Sequence, residues 1–220
     1  MSDAFAARAA QWDANPVRAA IGQAFYAQVV EAVATHLDGG LAGRTVLEFG
    51  CGTGTLGLRL AREHAARLLF VDTSPAMLGV LRGKLAEADA HGTHADAQVF
   101  EGELHALPIP EASVDVVVSL MALHHVEDTA RALARLRALL KPGGLLLLGD
   151  LLPEDGGFHS GNNHDESAFH NGFDPKELHA LCEGLDLGVR RLLPFHIVRK
   201  PDATGAAREY PLFFLAARAV

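Results

Sequence analysis

From residue 45 to residue 152, short runs of near-continuous apolar residues alternate with stretches in which apolar residues recur every three or four positions. The runs "TVLEF" (45–49), "RLLFVD" (67–72), "AQVFEGE" (97–103), "VDVVVSL" (114–120) and "LLLLGDLL" (145–152) predict five strands. Helical spacing fills the gaps at 55–65, from Pro75 to about Glu87, and at 128–141. Ser74 can cap the second of these helices with Pro75 in its first turn, and "PGG" after the third reads as a stop. The second, fourth and fifth runs lack the polar alternation of a half-exposed strand, so they predict a parallel sheet covered by helices on both faces.

The flanks follow other patterns. Val17, Ile21, Phe25, Val29, Val33 and Leu37 keep helical spacing, and "DGGLAG" (38–43) ends that helix. Residues 153–173 form a long loop rich in His, Asn and Gly. Asp174, Pro175 and Glu177 start a helix over 174–184. The segments 188–200 and 209–219 read as strands joined without a helix, which requires an antiparallel hairpin. The chain divides accordingly into an N-terminal helical cap (1–40), a core (44–152), a lid or substrate loop (153–173), and a C-terminal helix and hairpin (174–220), all within one domain.

Composition narrows the function classes. The chain has 220 residues, 49% hydrophobic and 21% charged, with a formal net charge of −8. That balance argues against a broad nucleic-acid surface and suits a cationic ligand. No apolar run reaches the ~18–20 residues of a membrane span. The opening "MSDAFAARAAQWD" carries acids early and no long apolar core, so a soluble cytoplasmic protein is expected. The two cysteines, Cys51 and Cys182, form no CxxC pair. Cys51 reads either as a small residue in a crowded turn or as a reactive thiol, the latter needing a base or cation nearby.

Candidate chemistry begins at "VLEFGCGTGTLGL" (46–58). A glycine-rich turn after the first strand of such a sheet is a ligand site on topological grounds. Gly50, Gly52 and Gly54 are spaced G-x-G-x-G, off-register for the dinucleotide fingerprint G-x-G-x-x-G; Gly52, Gly54 and Gly57 would fit it but start too far into the helix. Glu48, just before the glycines, would repel a pyrophosphate and welcome an ammonium. Asp72, ending the second strand, can accept from both hydroxyls of a ribose. Glu103, after the third, can accept from a purine amino group, with the Leu104 N–H beside it.

The stretches "VLEFGCGTGTLGLRLA", "FVDTSPAML", "EGELHALPIPEASVDVVVSLMALHHV" and "LRALLKPGGLLLLGD", in this order over residues 44–152, resemble the successive motifs of class I S-adenosylmethionine-dependent methyltransferases. The resemblance implies an α/β, three-layer, doubly wound Rossmann-like fold with a seven-stranded sheet, order 3-2-1-4-5-7-6 and strand 7 antiparallel. It implies S-adenosylmethionine as cofactor and S-adenosylhomocysteine as product. By the same resemblance Glu48, Gly50, Cys51, Gly52 and Gly54 line the methionine part and Asp72 binds the ribose. Thr73 and Met77 flank ribose and adenine, Glu103 and Leu104 meet the adenine, and Ser119 and Leu120 close the cofactor-binding set. Two departures stand out. Glu48 replaces the commoner Asp, and Glu101 competes with Glu103 for the adenine role. Met77 reads equally as core.

His124 and His125 follow the fourth strand, beside the methyl position in this family, and either could be the base for an acceptor that must lose a proton. "SLMALHH" lacks the Asn-Pro-Pro-Tyr type motif of base amino methyltransferases, which disfavours a DNA adenine or protein glutamine substrate. The loop "FHSGNNHDESAFHNGFD" (158–174) holds His159, His164, Asp165 and His170. Its spacing fits no short metal-ligand motif. A lid with His170 or His159 as base and a purely solvated loop are both open. Trp12, the only tryptophan, either packs on the sulfonium by cation–π attraction or anchors the N-terminal helix. The resulting expectation is methyl transfer to a small-molecule O, N or S nucleophile, without nucleic-acid or membrane partners, as monomer or homodimer. A non-catalytic S-adenosylmethionine-binding sensor or assembly protein is the alternative, and a nicotinamide-dependent dehydrogenase is disfavoured by Glu48 and the glycine register.

Overall fold

The computed structural model describes residues 5–64, 66–91, 96–159, 168–201 and 205–220. Seven strands form one sheet: β1 (Thr45–Phe49), β2 (Arg67–Asp72), β3 (Ala97–Glu101), β4 (Val114–Leu120), β5 (Leu140–Leu151), β6 (Leu187–Pro201) and β7 (Ala207–Ala219). Their order is β3-β2-β1-β4-β5-β7-β6. The first five strands pair in parallel, and β7 runs antiparallel to both β5 and β6. This is the expected fold, hairpin included.

The near-continuous apolar runs are explained by alternation between two cores. Phe70, Val116, Val118, Leu145 and Leu147 face α1 (Pro16–His36), α2 (Thr55–His64) and α3 (Pro75–Ala90). Leu69, Val71, Val117, Leu146 and Leu148 face α4 (Thr129–Leu139) and α5 (Pro175–Gly184). β2, β4 and β5 are therefore buried on both sides. Local signals place the helix starts: Asn15, Ser74, Asp128 and Asp174 all cap with their side chains, and proline follows at the start of α1, α3 and α5.

The stop signal "PGG" behaves differently from the expectation. α4 ends at Leu139, and Leu140 already pairs with Val114. The next pair is Val116 with Leu145, so residues 141–144 loop out of the ladder as a bulge, with Gly143 at a φ of 79°. The fifth strand thus starts at 140 rather than 145, and α3 continues to Ala90 rather than stopping near Glu87. Three short 3-10 segments, Ala6–Ala14, Leu104–Ala106 and Leu123–His125, were not evident from periodicity. The last two follow β3 and β4 directly and bend the chain over the carboxyl edge of the sheet.

Candidate cofactor and active site

The glycine turn links β1 to α2. Gly50, Gly52 and Gly54 all have positive φ (66°, 51° and 71°), where an L side chain is strained. At Gly50 the neighbour that forbids a side chain is protein: a Cβ would lie 2.2 Å from the Cβ of Ala122, in the loop after β4. Gly52 instead faces Trp12, whose Nε1 would be 3.9 Å from an added Cβ. The turn is held by its own amides. Gly50 and Cys51 N–H donate to Val71 O (2.9 and 3.1 Å), Gly54 N–H to Cys51 O (2.8 Å), and Gly52 N–H to Asp72 Oδ2 (2.7 Å). Gly57 N–H, in the first turn of α2, donates to Glu48 Oε2 at 2.9 Å.

Two acids therefore underlie the turn. Glu48 is buried, and burial first, then the Asp72 charge, push its carboxyl up to about 8 against the Gly57 hydrogen bond and the Lys84 charge. Asp72 uses its second oxygen on Ser74 N–H (2.8 Å), so each carboxylate oxygen holds one backbone amide. Cys51 is buried and its thiol is raised well above its ordinary value by burial, with Glu48 and Asp72 adding to the effect. That environment suits the small-residue reading and not a reactive thiolate.

Around the edge, Thr73 is exposed and Met77 is buried at 2% exposure behind the Ser74 cap. Glu101 is engaged by Arg82 of α3 (3.2 Å), whereas Glu103 is exposed and leads directly into the buried Leu104. This contrast favours Glu103 over Glu101 as the acid available to a ligand. Ser119 Oγ donates to Phe49 O (2.9 Å), fastening the end of β4 to the end of β1, and Leu120 follows half-buried.

The N-terminal segment closes one side. Asp13 Oδ1 accepts from Thr53 Oγ1 (2.6 Å) and Thr55 Oγ1 (2.9 Å). Its Oδ2 pairs with Lys84 Nζ (2.7 Å), and that ammonium also donates to Thr53 O (2.9 Å). Burial opposes ionisation of Asp13, but hydrogen bonds from Lys84, Thr53 and Thr55 outweigh it and lower the carboxyl. Trp12 is half-buried with the Arg18 guanidinium 3.7 Å from its ring centroid and Phe5 edge-on at 5.8 Å. Two cations of the chain itself lie over that ring, Arg18 and, at 6.0 Å, Arg8, the packing expected of an anchor.

The second 3-10 bend, after β4, carries the histidines. His124 is 1% exposed, and its Nδ1 lies 2.7 Å from Oδ1 of the equally buried Asp150. Its ring centroid is 4.1 Å from that of His125 and 5.0 Å from that of His159; His125 and His159 are 5.7 Å apart, and Phe5 sits edge-on to His125 at 5.3 Å. Three of the four candidate bases thus gather at the edge of β4. His170 does not: its Nε2 lies against Val126 O (2.9 Å), Glu127 O (3.3 Å) and Thr129 Oγ1 (3.1 Å), so it serves as a donor that ties the loop to the start of α4. His164 and Asp165 lie outside the described residues. Among the described residues no three His, Cys, Asp or Glu side chains are arranged to hold a metal ion. Asp13 and Asp150 are the site-forming residues that sequence patterns did not flag, because their partners are 40 and 26 positions away.

Residues 46–144 match the family described as "Methyltransferase domain". An uncharacterized methyltransferase of Mycobacterium tuberculosis is 41% identical over 106 residues, covering 48% of this chain and 50% of the relative. The 27-O-demethylrifamycin SV methyltransferase of Amycolatopsis mediterranei is 34% identical over 112 residues, 50% of this chain and 40% of that one. The chain thus spans half or less of the length of these curated relatives. Among solved structures, one from a complex with the Haloferax volcanii Trm112 methyltransferase activator superposes with a TM-score of 0.71 at 21% identity, covering 100% of this chain and 99% of that chain, a likeness of fold. That family match runs from β1 into β5, and the strand order of the whole sheet is the one the resemblance to class I S-adenosylmethionine-dependent methyltransferases implies.

Proposed function

We propose that this protein transfers a methyl group from S-adenosylmethionine to a small-molecule O, N or S nucleophile in the cytoplasm. The observation that carries the cofactor half of this reading is the accounting of the glycine turn. A pyrophosphate needs free backbone N–H groups at such a turn. Here the amides of Gly50, Cys51, Gly52, Gly54 and Gly57 are spent on Val71 O, Asp72, Cys51 O and Glu48, and the two carboxyl groups beneath them favour a cation. The residues fit a positively charged, phosphate-free nucleoside and not a dinucleotide.

When bound, S-adenosylmethionine supplies a methyl group on a sulfonium, which leaves in line with the departing sulfur. The chain's own tasks are to hold the two reactants at near-attack distance and to exclude water. Asp72 sets the negative potential at the turn, and Glu48 adds to it as it ionises. Asp72, half-exposed at the end of β2, would face the ribose hydroxyls, and Glu103 with Leu104 would receive the adenine edge. Trp12 and the Asp13 network close the crevice from the N-terminal side. His124, His125 and His159 supply the base for an acceptor that must lose a proton.

A small acceptor is supported by the net charge of −8, which does not favour a polyanion, and by the small-molecule substrate in the name of the Amycolatopsis relative. No helix among the described residues is long and apolar enough to cross a membrane. The test is a melting experiment followed by transfer. S-adenosylhomocysteine at a hundredfold excess over Kd should stabilise by about 2.7 kcal/mol, and NAD should not. Labelled methyl should then pass to at least one member of a panel of thiols, phenols and amines. Stabilisation by NAD alone overturns the cofactor reading; binding without transfer to any acceptor leaves a cofactor-binding protein with no chemistry.

A further inference from the structure

The C-terminal hairpin outruns the sheet it joins. β5 stops pairing with β7 at Leu151 and Leu212, but β6 and β7 stay paired as far as Pro201 and Ala207, so the end of the hairpin stands beyond the carboxyl edge. Residues paired directly across two strands share a face. One face of this end carries Val198 opposite Tyr210 and Lys200 opposite Arg208; the other carries Arg199 and Glu209, which close an ion pair at 2.8 Å. The chain after β5 covers the first face. Val198, Tyr210 and Leu212 form an apolar cluster with Ile21 and Leu151, and Phe158 packs on it. Gly157 permits that approach, because a Cβ there would lie 2.8 Å from the Tyr210 hydroxyl. Glu154 Oε2 holds the Phe158 N–H at 2.9 Å.

Two cations directly opposite one another work against the pairing of their strands. Arg208 is neutralised by Asp155 Oδ2 at 2.6 Å. Lys200 is not. Its Nζ lies 4.0 Å from the centroid of the Phe158 ring and 5.3 Å from that of Tyr210, and no hydrogen bond or ion pair holds it among the described residues. Burial lowers this half-buried ammonium from the usual lysine range, and the Glu154 charge opposes the fall. The two rings offset part of the desolvation, and an anion would offset more. The same segment leads to the candidate bases: the Phe158 ring is 5.0 Å from that of His159, which is 5.7 Å from that of His125.

We propose that Lys200 selects the methyl acceptor: it pairs with a carboxylate carried by the acceptor, at the end remote from the atom that is methylated. This rests on the methyl-transfer reading above and narrows its substrate class to small molecules with an apolar body and one carboxylate. A single negative charge fits best. Lys200 is a compact point charge without the fork that grips a phosphate, and Glu154 already brings one acid to its surroundings, which disfavours a dianion. In a chain of net charge −8, an anionic acceptor needs such a local cation to bind at all.

The test uses 3-phenylpropionate, its amide and phenyl phosphate as probes, titrated by calorimetry into protein saturated with S-adenosylhomocysteine. The acid should bind ~10-fold or more tightly than the amide, and Lys200→Met should remove that difference while leaving amide affinity within about twofold. Lys200→Arg should keep most of it. In protein carrying 13C-labelled lysine, the Lys200 Cε signal should titrate below the ordinary lysine range, and its midpoint should rise with the acid and not with the amide. For a carboxylated acceptor from the panel above, Lys200→Met should raise KM ~10-fold with little change in kcat. Equal affinity of the wild type for acid and amide, no heat from either, an acid preference that survives Lys200→Met, tighter binding of phenyl phosphate, or a fall in kcat at constant KM would each overturn the assignment. The wild-type comparison decides even if the variants fail to fold. Absence of S-adenosylhomocysteine binding would instead sink the methyl-transfer reading, a separate result, and the acid–amide comparison is then read in the unliganded protein.

Discussion

Glu48 Oε2 accepts the Gly57 N–H at 2.9 Å, and this contact fastens the end of β1 to the first turn of α2. It also places a carboxyl where burial raises it to about 8, with Asp72 adding to the rise and Lys84 opposing it. The sign of the consequence is fixed by linkage. Between the ordinary value near 4.5 and about 8, the unfolded chain has released this proton and the folded chain still holds it. Stability must therefore fall as pH rises through that window, at up to ~1.4 kcal/mol per pH unit. Glu48→Gln keeps an acceptor for Gly57 and cannot ionise. Its melting temperature should match the wild type near pH 5 and exceed it by several degrees at pH 8, in the unliganded protein.

The same carboxyl makes cofactor binding pH-dependent. S-adenosylmethionine carries one more positive charge than S-adenosylhomocysteine. Preference for the former should grow between pH 6 and pH 9 as Glu48 ionises. Calorimetry at pH 7 in buffers of different ionisation enthalpy should show a fraction of a proton released on binding S-adenosylmethionine, and none in Glu48→Gln.

Gly50 sets a steric limit. Alanine there would place its Cβ 2.2 Å from Ala122 and hold a left-handed φ of 66°. The combined cost is roughly 2–4 kcal/mol. Gly50→Ala should lower the melting temperature and, by pushing the loop after β4 away from the turn, weaken S-adenosylhomocysteine binding by at least ~10-fold in a titration.

Asp13 connects the N-terminal segment to Thr53, Thr55 and Lys84. Asp13→Asn removes the charge and Lys84→Met the cation. Because the pair is partly exposed, each should change global stability by less than ~1 kcal/mol. Each should nevertheless weaken S-adenosylhomocysteine binding several-fold and speed proteolysis near Trp12. Equal protease resistance with and without the substitutions would count against the segment as a cover.

The sheet was legible because its determinants are local. Apolar runs, caps such as Ser74 and Asp174, and two strands without an intervening helix each report on a few consecutive residues. That Glu48, Asp72 and Glu103 lie along the carboxyl edge of the sheet was legible because strand ends are. What escaped reading depends on tertiary pairing. Leu140 belongs to β5 only because Val114 lies opposite it, so "PGG" became a bulge and not a boundary. Asp150 reads in sequence as one polar residue in "LLLLGDLL", and only folding sets it against His124. His170 had the right chemistry for a base, but carbonyls 126 and 127 claimed its nitrogen.

The fate of the two thiols has a practical corollary. Cys51 is enclosed in the glycine turn and held protonated, and Cys182 is buried with its thiol pushed up to about 12. They are the only cysteines in the chain. The folded protein is in effect a silent background for maleimide chemistry. A single cysteine introduced at the exposed Phe169 would take a fluorophore or spin label selectively, with no native residue to be engineered away first.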